Sequence, residues 1–153
     1  ILHLIAQLVL PLSLRQCYWS IIIDHMNHAS DEEFDQLISR AIDELPQEYI
    51  TNLNNVVITY ADEPTPEQSK KQGIRRGQLL LGLYEGIPLT RRGAGYNLVI
   101  PDKITLFKKS ILQMSHDESS FYKQIKHTLW HEIAHFYGLD HSRIKQLEDR
   151  AKR

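Results

Sequence analysis

A chain of 153 residues has room for one domain and hardly for two. Its 18 basic and 19 acidic side chains nearly cancel, so it lacks the basic footprint of a nucleic-acid binder. The single cysteine, Cys17, excludes an internal disulfide and leaves histidine and carboxylate as the available metal ligands.

Residues 1–25 differ in composition from the rest of the chain. They are apolar, contain no initiator Met and do not open on a basic stretch. The uncharged run over residues 1–14 is too short to span a bilayer and is interrupted by Pro11. An export signal would need a positive start and a small-x-small cleavage site, and neither stands out. The preferred reading is a leader translated upstream of Met26, with a degenerate export signal or a genuine extra element as alternatives. Residues 26–153 then form a single domain, expected in the cytoplasm and without a membrane partner.

Ser30 and Glu33 make an S-x-x-E capping box. Phe34, Leu37, Ile38, Ala41, Ile42 and Leu45 follow at intervals of three and four, predicting an amphipathic helix that Pro46 stops. Residues 47–53 can add a short second helix, and Asn54-Asn55 reads as a turn. Residues 56–60, V-V-I-T-Y, are β-branched and predict a strand. Residues 61–77 are polar, carry Pro64 and Pro66, and predict a surface loop with room for one helical turn. A second strand is expected over residues 79–84, then a long loop punctuated by Gly86, Pro88, Gly93 and Gly95. Residues 104–107 predict a third strand, 108–114 a short helix and 117–139 the last long helix. This order predicts an α+β fold, a sheet of three to four strands covered by helices on one face.

Residues 131–141 read H-E-I-A-H-F-Y-G-L-D-H. His131 and His135, four apart on a helix, stand one turn apart on one face and can grip one ion. Ile125, Leu129, Ile133 and Phe136 form a neighbouring apolar stripe, so the helix can bury one side and show its histidines to a cleft. Glu132 is placed to reach a metal-bound water as general base without being a ligand. Gly138 can take positive φ and reverse the chain, bringing His141 back as a third nitrogen ligand. Three protein ligands leave a fourth position open, which is the catalytic rather than the structural zinc arrangement.

Other residues have plainer readings. His127 could add a ligand but reads as a partly exposed helix residue, and His116 as a cap-region residue. Asp140 could orient a ligand imidazole from behind, or cap a helix or face water. Tyr84 and Tyr96 could stabilise an oxyanion but read as packing aromatics. Lys70, Lys71, Arg75 and Arg76 read as a solvated basic loop, and His3, His25 and His28, in or beside the leader, are given no role.

The extended zinc signature resembles that of the metzincins, but no Met follows His141 to supply their methionine turn. A closer resemblance is to the minimal zincins, small bacterial proteins described as minimal matrix-metalloprotease-like metallopeptidases. Its carriers are D-E-E-F-D-Q-L-I-S-R-A-I-D-E-L-P (31–46), L-L-G-L-Y-E-G-I-P-L-T (80–90), P-D-K-I-T-L-F (101–107) and H-T-L-W-H-E-I-A-H-F-Y-G-L (127–139). The resemblance implies a zincin-like α+β fold with the metal motif on the last long helix, Zn2+ as cofactor, His131 and His135 as ligands and Glu132 as base. It implies hydrolysis of a peptide or protein, and the near-neutral charge gives no reason to expect a nucleic-acid partner. The family often carries an acidic residue where this chain has His141, so Asp140 competes with His141 for the third position. By analogy with zincins, Leu83 and Tyr84 are the candidates for a strand that pairs with substrate.

Two rival functions stay open. G-L-D-H (138–141) is similar to the end of the H-x-x-x-H-x-x-G-x-D-H run of bacterial rRNA-maturation endoribonucleases, which usually have Gly where this chain has Glu132. A non-catalytic zinc-binding module is the other.

Overall fold

The computed structural model describes residues 30–93, 96 and 99–151. The leader reading, and with it His3, His25 and His28, lies outside the described residues.

The first helix, α1 (Asp31–Glu44), starts at the predicted capping box, with Ser30 accepting from the Glu33 N–H and Glu33 from the Ser30 N–H. A four-residue α2 (Gln47–Ile50) and a turn through Asn55, whose φ is 58°, lead into strand β1 (Val56–Ala61). The following loop holds more than a stray turn. Thr65 and Gln68 form a second capping box, with Pro66 at the first helical position of α3 (Pro66–Lys71). Strand β2 (Gly82–Glu85) starts three residues later than expected, and a 3-10 turn (Leu89–Arg91) follows it. Strand β3 (Asp102–Phe107) starts two residues early, because Asp102 donates its N–H to Asn55 O and continues the pairing with β1. Helices α4 (Lys108–Gln113) and α5 (Glu118–Phe136) come next, and α6 (His141–Ala151) is a helix that the apolar spacing did not reveal.

The three strands form a mixed sheet in the order β1-β3-β2, with β1 parallel and β2 antiparallel to β3. The fold is α+β and zincin-like. Its core lies between the sheet and the pair α1 and α5. Phe34, Ile38 and Ala41 from α1 meet Ile104 and Leu106 from β3 and Phe121, Ile125, Leu129 and Ile133 from α5. Burial of each large apolar side chain is worth about 1.5–3 kcal/mol, so this layer fixes α5 firmly against the sheet. Glu44 adds an ionic tie, accepting from Arg40 at 2.9 Å on its own helix and from Lys126 at 3.0 Å on α5. No described helix is long and apolar enough to cross a membrane.

Candidate metal centre

The last turns of α5 carry His131 and His135 on one face, as the spacing requires. The helix then ends in a Schellman motif: Leu139 N–H donates to Ala134 O at 3.0 Å, and Gly138 N–H to His135 O at 2.9 Å. Gly138 has φ 85°, and a Cβ there would collide with Thr90 of the 3-10 turn, so glycine is required for both conformation and space. The reversal has two effects. It points Leu139 O at Nδ1 of His135, 2.9 Å away, and it starts α6 at His141.

One ring nitrogen from each of His131, His135 and His141 lies within 4.8 Å of the other two. Nε2 of His131 is 3.2 Å from Nδ1 of His141. A tetrahedral zinc with Zn–N bonds of about 2.0–2.1 Å holds its ligand nitrogens about 3.3 Å apart, a spacing that the His131–His141 pair matches. The Leu139 carbonyl favours a proton on Nδ1 of His135 and leaves the Nε2 lone pair for a metal. Burial shifts His135 below the usual imidazole range, partly offset by Leu139, and a ligand imidazole must be neutral.

Asp140 is occupied elsewhere. Its Oδ1 accepts from Ser142 Oγ at 2.8 Å and from the Arg143 N–H at 2.9 Å, which is N-cap geometry for α6. The Arg143 N–H and the Ser142 hydroxyl hold its carboxyl below the usual range. Of the rivals for the third position, His141 faces the other two imidazoles.

Glu132 is on the buried side of the same turn, 7% exposed. Its Oε2 accepts the Tyr84 N–H of β2 at 2.8 Å. Burial pushes the carboxyl up to about 7, with the Tyr84 N–H pulling the other way. This approach of β2 to α5 depends on a residue that the sequence reading passed over. A Cβ on Gly82 would lie 2.6 Å from Thr128 Cγ2 and 2.9 Å from Glu132 Cγ. A lone glycine within an apolar strand pattern was the available signal.

A second unforeseen feature braces the strand from its other side. Asp102, 3% exposed, accepts from the Tyr84 hydroxyl at 2.5 Å, from Arg92 at 2.5 Å, and more weakly from the Tyr96 hydroxyl at 3.3 Å and the Ile87 N–H at 3.4 Å. The Arg92 guanidinium stacks on Tyr96 and on Phe136, the residue after His135. Gly86 makes room for the Asp102 carboxylate, which a Cβ there would strike. Tyr84 and Tyr96 are thus packing residues whose hydroxyls are spent on Asp102. Burial and Asp102 push the Tyr84 phenol above its usual range, so it stays a neutral donor.

The histidines and Glu132 open into a cleft of about 530 Å³. One wall is α5 with Gln124, His127 and Thr128, and the other is the edge strand β2 with Leu80 and Leu81 before it. Pro88, Arg91 and Gln72 close the rim. In β2, Leu83 and Glu85 face the β3 ladder, so the backbone groups of Gly82 and Tyr84 point outward, toward the cleft side.

The zincin-like metallopeptidase family matches residues 53–151, well over half the chain, and the chain belongs to that family. The match covers β1 through α6, which includes the whole histidine cluster. The family implies a metal cofactor, typically zinc, and the chain is a zinc-metallopeptidase-like module. No curated protein matches the sequence. Among solved structures, a conserved hypothetical protein from Thermus thermophilus is similar at 20% identity and a TM-score of 0.47, covering 79% of this chain and 99% of its own.

Proposed function

We propose that this protein is a zinc-dependent peptidase in which His131, His135 and His141 hold the metal and Glu132 moves the proton. The observation that carries the reading is the placement of Glu132. Its buried carboxyl adjoins three converging imidazoles, opens into the same cleft, and is held by a backbone N–H rather than by a cation. A purely structural site would have no use for such a group.

Zinc bound by these imidazoles supplies Lewis acidity, acidifying water and polarising a carbonyl. Oε2 of Glu132 is fixed by Tyr84, which leaves Oε1 to take a proton from the attacking water and pass it to the leaving amine. An extended peptide adds to the edge of β2 through the outward backbone groups of Gly82 and the Tyr84 carbonyl, with Leu83 and Tyr84 setting the strand's position. The expected substrates are peptides or proteins of the cytoplasm.

Zinc-loaded wild type is expected to cleave a quenched-fluorescence peptide library. The Glu132→Gln protein should bind zinc as well as wild type does and cleave roughly 10²–10⁴-fold more slowly. Equal turnover by that variant rejects Glu132 as the base.

A further inference from the structure

The basic segment that runs from α3 toward β2 makes no ion pair among the described residues. Residues 66–78 contain Lys70, Lys71, Arg75 and Arg76 against one acid, Glu67, in a chain whose net charge is only -1. All four cations are exposed, and among the described residues none has a carboxylate within ion-pairing distance. Four lysines elsewhere are engaged, Lys103 with Glu85, Lys108 with Asp31, Lys109 with Glu63 and Lys126 with Glu44, while Lys123 and Lys145 have no ion pair among the described residues. Gln72, in the middle of the segment, lines the rim of the cleft.

Arg91 reaches the same rim from the 3-10 turn, exposed and without an acidic partner among the described residues. Its backbone is held on both sides. The Arg91 N–H donates to Pro88 O at 2.8 Å, Thr90 abuts Gly138 at the end of α5, and Arg92 is locked onto Asp102 beneath. The guanidinium is therefore offered to the cleft from a fixed base. Neither carboxylate of the cleft, Glu132 or Asp140, is ion-paired with it; Glu132 accepts from Tyr84 and Asp140 from Ser142 and Arg143.

We propose that the cleft selects a peptide bearing a carboxylate, drawn in by Lys70, Lys71, Arg75 and Arg76 and read by Arg91. The inference rests on the reading of the cleft as a peptide site. A planar guanidinium binds a carboxylate through two parallel hydrogen bonds, and that contact adds discrimination to the sequence-tolerant pairing along β2. The carboxylate belongs either to an acidic side chain or to the peptide's C-terminus. RNA phosphate is the less suitable ligand. Nucleic-acid channels combine several cations with stacking aromatics. This cleft is lined by one arginine and, beyond the histidines gathered at the metal site and His127, by one aromatic, Tyr84, whose hydroxyl is tied to Asp102.

The test measures binding apart from turnover. Zinc-loaded Glu132→Gln protein is titrated into labelled peptides that differ only by Glu against Gln, and by a C-terminal acid against an amide. Fluorescence anisotropy is read at about 50 and about 300 mM salt. A charge-assisted pair predicts roughly tenfold tighter binding of one carboxylate form, weakening at high salt. Arg91→Gln should erase most of that ratio, and Arg91→Lys should keep only part of it. The Glu/Gln pair and the acid/amide pair identify which carboxylate is read. Equal affinities within both pairs overturn the inference, as does an Arg91-dependent preference for a labelled single-stranded RNA over every peptide. If the variant binds the acidic peptide selectively but wild type cleaves neither member of the pair, hydrolysis falls and the carboxylate selectivity stands.

Discussion

Two carboxylates are buried on either side of one tyrosine, and their partners differ. Glu132 is 7% exposed and Asp102 is 3% exposed. Tyr84 serves both, giving its backbone N–H to Glu132 and its hydroxyl to Asp102. The difference lies in the donors. Asp102 accepts from a guanidinium, two hydroxyls and an N–H. Glu132 has one N–H and no cation, so burial pushes its carboxyl up to about 7. A fully partnered buried carboxylate ties elements together, whereas the half-partnered one is, on the proposed reading, the group that exchanges a proton.

Substitutions at the two positions should separate these roles. The largest effect on stability is expected from Asp102→Ala, which strands Arg92 and two hydroxyls in the interior. Chemical denaturation should register a loss of about 3–5 kcal/mol. A loss under 1 kcal/mol would mean that the brace is not a buried pair. Tyr84→Phe removes one donor from Asp102 and leaves both Arg92 and the backbone N–H to Glu132 in place. It should lower stability by about 1.5 kcal/mol and leave zinc affinity within a factor of about two. A large fall in zinc affinity would instead make the Tyr84 hydroxyl part of the metal centre. The smallest effect belongs to Glu132→Gln, which keeps the shape and the acceptor for Tyr84. Its stability without metal should match or exceed that of wild type by up to about 1 kcal/mol. A loss of several kcal/mol would make Glu132 a second brace.

The legible parts of the molecule were those written in local spacing. The four-residue step from His131 to His135, the Ser30 capping box and the glycine at position 138 are each decided within one or two turns of chain. The Thr65–Gln68 box with Pro66 was equally local but sat in a polar stretch read as loop. Helix α6 escaped because its apolar pattern is thin: among its described side chains, Ile144 is the one buried in the core. The brace left no local trace. Asp102 meets Tyr84 from 18 residues away and Arg92 from 10, and such partners appear only when β2 and β3 pair. Strand boundaries moved for the same reason, since the start of β3 is set by Asn55, far off in sequence.

On the proposed reading three imidazoles, and not Asp140, form the metal site. X-ray absorption on zinc-loaded protein tests it most directly, read beside zinc titrations of His135→Ala and His141→Ala. The geometry predicts about one zinc per chain, three imidazole ligands at about 2.0–2.1 Å, and a loss of affinity of a hundredfold or more, roughly, in either variant. A shell with fewer than three imidazoles, or unchanged affinity in His141→Ala, would contradict it.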